Sequence, residues 1–435
     1  MSTSQSYLDL SARVADFIAP SLACDWPLLP VERGEGAYLY LADGRKVLDF
    51  TSGIATVNTG YAHPRVMAAA RAQMAAFQHS AVGVTLHEPL LRLSELLRTI
   101  LPNGADAMFF FSNSGAEAIE GAIKLAKYVT GRPGVISFLG GFHGRSYAAM
   151  TMTTSKAKYR LHYEGLVPSF YVAPYADPYH FRGGRDNDCA SEALAYLDDI
   201  FARVIDPSQV ACLLVEPIQG EGGYVVPPVS FLQGLRERCD RHGILLIFDE
   251  VQTGFGRTGE WFAAQTFGVI PDVYVLAKAI ASGFPLSAVA APARLMKGWT
   301  AGAHGTTFGG NPISCAAAFA TIQAIGEEGM IDNCRARGQQ IMARLEALKA
   351  RSPHIGDVRG RGLMIGVEFS IPGSDRQPDG IAAQRVLDAC LARGLLCYMA
   401  GVQGQVVRIL PPLIVTAEQV AWAMDVLEEA VHELD

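Results

Sequence analysis

The sequence predicts an α/β protein, with a large domain built on a mostly parallel sheet sandwiched by helices and a smaller α/β domain. Three observations carry this. Short apolar runs at residues 107–111, 134–138, 210–215, 244–248, 273–276 and 287–291 alternate with helical stretches across glycine-rich or polar turns. The chain has 435 residues, too many for one ordinary core, and half of them are hydrophobic. Charged residues make up 18%, below the usual level of about a quarter, which points to much buried surface and to an interface between subunits.

Taken in order, residues 8–30 combine a weak helical pattern with a proline-bounded arm. Residues 37–41 and 46–50 alternate around Ala42-Asp43-Gly44, the pattern of a hairpin. Helical spacing follows at 65–77 and at 88–101, the second closed by Pro102-Asn103-Gly104. Beyond the six apolar strands and Asn311-Pro312, helices are expected to about residue 328 and over 332–351. Strands are then expected at 358–369, 395–398 and 405–409, with helices at 381–393 and 416–434 and a surface loop at 372–380. The implied division is an arm and hairpin over 1–60 packing with the small domain, a large domain over 61–330 and the small domain over 331–435.

A net charge of −7 and a pI near 5.8 leave no electrostatic footprint for nucleic acid or an anionic membrane. The eight cysteines are scattered without a CxxC pair, as expected in a reducing compartment. The first twelve residues carry no Lys or Arg and no apolar core of signal length, and no apolar run is long enough to cross a bilayer. A cytoplasmic location is the expectation.

The polar residues that break this apolar background sit at the carboxyl ends of the predicted strands, where ligands gather in such sheets. Asp249 ends one run and Lys278 lies just beyond the next. That is the pair a pyridoxal phosphate enzyme needs, an acid for the pyridine nitrogen and an amine to form the imine. Ser112-Asn113-Ser114-Gly115-Ala116-Glu117 opens a helix after a strand, and its backbone amides suit a phosphate as well as they suit a simple cap. In Gly140-Gly141-Phe142-His143-Gly144-Arg145 an aromatic can stack on a flat ring and Arg145 can bind a carboxylate, the alternative being a loop with a solvated arginine. Glu216 and Glu221 lie in the glycine-rich turn EPIQGEGG, and Arg408 stands inside an apolar strand where it needs a partner or a ligand.

Two other chemistries fail on context. Asp249-Glu250 could hold magnesium in a nucleotide hydrolase, but the chain contains no Gly-Lys dipeptide and hence no GxxxxGK[ST] loop. Gly254-Phe255-Gly256-Arg257-Thr258-Gly259 matches GxGxxG, yet DEVQT separates it from the strand, and Asp272 opens the next strand instead of ending it.

Taken together, FTSGIATVNTGYAHP, HEPLLRLSELL, SNSGAEAIEGAIKLAK, GFHGRS, EPIQGEGG, IFDEVQTGFGRTG, LAKAIASGFP and TTFGGNP occur in family order. From about Pro30 to about Glu429 the chain thus resembles the class III pyridoxal phosphate-dependent aminotransferases, and within them most closely the 4-aminobutyrate branch. The resemblance implies a fold type I large domain and active sites shared across a homodimer or tetramer. It implies pyridoxal 5'-phosphate as cofactor, and an ω-amino acid donor with 2-oxoglutarate as acceptor, in a ping-pong cycle. Ornithine-type and other ω-amine donors are the nearest alternatives, with amino acid racemisation further off.

Carried over by motif, Lys278 is the imine-forming lysine and Asp249 the pyridinium partner. Gly115 and Ala116 bind the phosphate, Thr307 reaches the phosphate of the neighbouring subunit, Phe142 and Val251 flank the ring, and Gln252 lies beside its hydroxyl. Ser114, His143 and Glu216 belong with these cofactor contacts. On the substrate side, Arg145 takes the carboxylate of the ω-amino acid. Arg408 takes the α-carboxylate of the dicarboxylic partner and pairs with Glu221 in the other half-reaction. Ile54 matches the aliphatic residue of the aminobutyrate type, whereas Ala116 stands where that type often carries serine.

Overall fold

The computed structural model describes residues 13–14, 16–22, 28–181 and 188–434. The predicted apolar runs assemble into a seven-stranded sheet. Its order is Ala107–Ser112, Ser287–Pro292, Val273–Leu276, Leu245–Asp249, Val210–Val215, Gly134–Phe138 and Phe170–Ala173. From Val273–Leu276 outward to Phe170–Ala173 every pairing is parallel. Ser287–Pro292 runs antiparallel between Val273–Leu276 and Ala107–Ser112. The expected α/β architecture with a mostly parallel sheet is borne out.

Alternation along the strands divides two cores. Ile247, Val273 and Val275 pack with Ala118, Ile119 and Ala122 of the helix Gly115–Thr130. Leu246, Phe248 and Leu276 face the opposite way, with Phe231 and Leu235 of Val229–His242 and Leu197 of Cys189–Arg203. With both faces covered, Val210–Val215 and Leu245–Asp249 are buried at every position, so their sequence reads as continuous apolar runs.

Four of the observed elements differ from the predicted ones. Phe170–Ala173 is an additional edge strand of four residues, too short to show a period. The stretch expected as one strand over 358–369 is a hairpin, Ile355–Arg361 against Met364–Phe369, reversed at Gly362. The strand expected at 395–398 divides at Cys397. Leu395–Leu396 pairs parallel with Leu48 and Asp49 of the N-terminal sheet, while Tyr398–Ala400 joins Val406–Ile409 in the C-terminal one. Apolarity marks these residues as buried but does not choose the sheet. The predicted hairpin forms as Tyr38–Leu41 and Lys46–Asp49, preceded by an unpredicted strand Val31–Glu35 whose residues are mostly exposed. Of the stretch 8–30, residues 8–12, 15 and 23–27 lie outside the described residues, and Pro20–Leu22 forms a single 3-10 turn. No helix among the described residues is long and apolar enough to cross a membrane.

The GxGxxG stretch has a structural task. Arg257 is fully buried, and burial lowers its pKa to about 10. Its guanidinium donates to Pro411 O at 2.6 Å, Leu363 O at 3.1 Å and Asn58 Oδ1 at 2.5 Å. One cation therefore ties the N-terminal loop to two turns of the C-terminal sheet region. Asn58→Ala leaves this buried donor short of an acceptor and is expected to destabilise the fold by about 1–3 kcal/mol, read from the urea unfolding midpoint. An unchanged midpoint would contradict the clamp.

Candidate active site

Parallel strands deliver their carboxyl ends to one rim, and three of them end in polar residues. Val210–Val215 is followed by Glu216, Leu245–Asp249 ends in Asp249, and Lys278 lies just past Val273–Leu276. Asp249 is in register with Val275, which brings Lys278 and Asp249 to the same cavity of about 320 Å3. Lys278 has φ +48°, a left-handed conformation rare for a residue with a side chain, and such strain collects at functional sites. Burial lowers the pKa of its amine against the opposing pull of Glu221 and Asp249.

Asp249 is fixed from two sides. His143 Nδ1 lies 2.8 Å from its Oδ2, and the Val251 amide donates to Oδ1 at 3.1 Å. Its neighbour Glu250 is pushed up to about 7 by burial and faces away, accepting from the Ala263 and Ala264 amides and from Thr253. The Asp-Glu pair is thus split between a site residue and a helix cap, not joined on a metal. Glu216 lines the cavity, but its carboxylate accepts from the Phe142 and Gly220 amides, both at 2.8 Å. It sets the two loops that carry the aromatic and Glu221. Burial raises its pKa, opposed by His143 and reinforced by Asp249.

The helix Gly115–Thr130 points its N-terminus into the same cavity. Ser114 caps it, its Oγ accepting from Glu117 N at 3.2 Å while its own amide donates to Glu117 Oε2. The Gly115 and Ala116 amides remain for an anion. Gly144 lies so close that a Cβ there would stand 2.6 Å from Ala116 Cβ, so the loop needs glycine at that position. Phe142 and Val251 also line the cavity, as does Gln252, whose buried Oε1 has no hydrogen-bond partner. A flat ring with a phosphate tail and an exocyclic hydroxyl fits this set, with the unsatisfied Gln252 oxygen as its clearest sign.

Farther out, Arg408 is buried, with Nη1 2.6 Å from Glu221 Oε1 and Nε donating to Met399 O at 2.7 Å. Its Nη2 is buried without a hydrogen-bond partner. Burial disfavours both charges, yet each outweighs it for the other: the Glu221 pKa is lowered and the Arg408 pKa raised. The Arg145 guanidinium lies 3.8 Å from the centre of the Tyr159 ring, and Tyr159 meets Phe142 edge-on at 5.8 Å. Sequence reasoning missed Tyr159 and Lys156, which stand within electrostatic reach of Arg145, Glu221 and Arg408. Their spacing after FHGR is irregular, so no period marks them.

Ile54 and Thr307 do not line this cavity, and both are exposed. Ile54 lies in a left-handed turn in which Ser52, Gly53, Ile54 and Ala55 all have positive φ. Such a turn costs about 1–2 kcal/mol at each non-glycine residue. Ser52 Oγ holds it by donating to Leu410 O at 2.5 Å, and the turn delivers Thr56, also missed, to the cavity wall.

Comparisons with known proteins point to one family. The family model for class-III aminotransferases matches residues 23–431. A probable 4-aminobutyrate aminotransferase of Bacillus subtilis is 36% identical over 403 residues, covering 92% of each chain. An alanine/serine racemase of Pyrococcus horikoshii is 38% identical over 414 residues, 94% of this chain and 86% of its own. Among solved structures, an amine transaminase from an uncultivated Pseudomonas species in its pyridoxal phosphate-bound form superposes with a TM-score of 0.89. It is 29% identical and covers 96% of this chain and 99% of its own.

The lowered Lys278 pKa leaves more free amine near neutrality than a surface lysine has. After reductive 13C-methylation of the protein freed of ligand, the Lys278 resonance is expected to titrate below those of exposed lysines. Titration with or above them would contradict its desolvation.

Proposed function

The chain belongs to the class-III aminotransferase family, and on that premise we propose that it moves the amino group of an ω-amino acid, 4-aminobutyrate or a close homologue, to 2-oxoglutarate. Its cofactor is pyridoxal phosphate. When bound, the cofactor supplies the carbonyl that takes up the amine and the ring that draws electrons from the substrate carbon.

The residues divide that work. Gly115 and Ala116 hold the phosphate through their amides, and Phe142 and Val251 confine the ring. Asp249, oriented by His143, keeps the pyridine nitrogen protonated; Gln252 meets the ring hydroxyl. Lys278 carries the proton that leaves the substrate carbon and returns it at the other end of the transfer, a task suited to an amine whose pKa is lowered by burial.

The observation that carries the substrate class is the pair of arginines. Arg145 lies open over Tyr159, while Arg408 is buried against Glu221 as a built-in counterion. A donor with one carboxylate uses Arg145 and leaves the Arg408–Glu221 pair closed. A dicarboxylic partner uses Arg145 for its far carboxylate and displaces Glu221 from Arg408 with its α-carboxylate, meeting the unpartnered Nη2. Neither state leaves a buried arginine without a negative partner, which would be costly. Two substrates sharing one pocket in turn is what a ping-pong cycle requires.

Access from a second copy belongs to the same proposal. Exposed Thr307 and Phe308 lie between Thr306 and Gly309, which with Leu91 and Met108 line a cavity of about 620 Å3. This apolar surface suits a subunit interface, across which Thr307 reaches the partner's phosphate.

The racemase relative motivates a second reading, racemisation of an amino acid on the same scaffold. Acceptor dependence separates them. With 4-aminobutyrate, 5-aminovalerate and ornithine tested against 2-oxoglutarate and pyruvate, turnover is expected for ω-donors with 2-oxoglutarate. Inversion of alanine or serine without any keto acid would favour racemisation. Lys278→Ala is expected to lower turnover by about a thousandfold, and near-normal turnover would overturn its assignment.

A further inference from the structure

The Glu221 turn docks onto the C-terminal sheet at one glycine. Gly366 is in register with Arg359 on one side and with Arg408 on the other, so the two arginines flank it across three strands. A Cβ at Gly366 would stand 3.2 Å from Tyr224 Cβ and 3.4 Å from Gly223 O, which marks how closely the turn sits between them. Arg408 takes the Glu221 carboxylate. Arg359 takes the turn's backbone, donating to Gly223 O from Nε at 2.9 Å and from Nη2 at 2.6 Å. The Gly401 amide adds a third hold, on Glu221 O at 3.0 Å.

Arg359 is itself anchored. Its Nη2 lies 2.6 Å from Glu368 Oε2, and its Nη1 lies 3.2 Å from Asp357, which also meets Lys349. Glu368 is almost fully buried and its other oxygen lies 2.5 Å from His180 Nε2, on the segment after the edge strand of the large sheet. Gln405 approaches the same oxygen at 3.4 Å. His180, Glu368, Arg359 and the Gly223 carbonyl therefore form a continuous chain that ends two residues from Glu221.

We propose that Arg359, held by Glu368 and His180, is a positioning residue that sets how firmly Glu221 occupies Arg408, and so sets the preference between substrates without and with an α-carboxylate. This rests on the exchange at Arg408 described above. With the chain intact, the turn holds Glu221 against Arg408, which suits an ω-donor. With the chain weakened, Glu221 competes less well, so an α-carboxylate reaches Arg408 more readily and an ω-donor meets an uncompensated guanidinium.

Charge on the chain depends on pH. Burial disfavours the His180 cation, but Glu368 outweighs it and raises the pKa, with Asp177 helping and Arg359 opposing. Glu368 is held below the usual carboxyl range, against burial, by His180 and Arg359. The His180 contribution is thus complete below its ordinary pKa and is lost as pH rises through the raised one. The Glu368 contribution is complete above the ordinary carboxyl range and is lost as pH falls through the lowered value.

The test uses holoenzyme and the single-turnover rate constants for 4-aminobutyrate and for L-glutamate, each without acceptor, followed by cofactor absorbance. Glu368→Gln and Arg359→Lys are expected to lower the 4-aminobutyrate to glutamate ratio about tenfold while cofactor affinity stays within twofold. The ratio of the unaltered enzyme is expected to fall as pH rises through the His180 pKa. His180→Gln, at a partly exposed position, is expected to lower the ratio about threefold and to remove that fall. Glu221→Gln is the reference and is expected to give the largest change. If Glu221→Gln leaves the ratio unchanged, the exchange at Arg408 fails and this proposal with it. If Glu221→Gln shifts the ratio while the other three do not, the proposal alone is overturned. Equal loss with both donors, accompanied by loss of cofactor, would also overturn it and leave Arg359 a purely structural role.

Discussion

The register between two neighbouring parallel strands is the constraint on which the site depends. Leu245–Asp249 and Val273–Leu276 pair so that Asp249 stands opposite Val275, and the chain then turns through a left-handed Lys278. Both strands are wholly buried, so a slip by one residue would send Asp249 to the other face and bury the wrong side chains. The hydrophobic cores on the two faces therefore fix the carboxylate and the amine more rigidly than local contacts could. The strain at Lys278 is affordable because those cores hold its neighbours.

From that fixed pair the site grows outward through progressively softer elements. Glu216, at the cavity wall, ties two loops together through their amides, which places Phe142 and the Glu221 turn. Arg408 comes from a different sheet, and Arg257 binds the turn beyond its strand to the loop that carries Ser52 and Asn58. The cofactor side is thus built on one rigid sheet, and the substrate side is assembled where several elements meet. In the proposed exchange, discrimination between acids that differ by one carboxylate rests on that junction, because a buried arginine left without an anionic partner is costly.

The large sheet was legible because strands buried on both faces write themselves as unbroken apolar runs, and Asp249 and Lys278 stood out against that background. The motifs around Gly115, Phe142 and Glu221 were legible for the same reason, as polar breaks after strands. What the sequence concealed lies in short elements, distant partners and irregular segments. The four-residue strand Phe170–Ala173 is too short for a period, and the change of sheet at Cys397 depends on partners distant in the chain. Lys156 and Tyr159 reach the site from an irregular segment, and the positive φ angles at Ser52, Ile54, Ala55 and Lys278 occur in residues with no local signature for them. Arg257 resembled part of a nucleotide motif because its carbonyl partners lie more than a hundred residues away.

The most direct test of the whole account is the stoichiometry of the first half-reaction. Holoenzyme mixed with excess 4-aminobutyrate in the absence of any keto acid is expected to release one semialdehyde per active site and then stop, and 2-oxoglutarate added afterwards is expected to yield an equal amount of glutamate. Continued product formation without an acceptor, or no semialdehyde until 2-oxoglutarate is present, would contradict it.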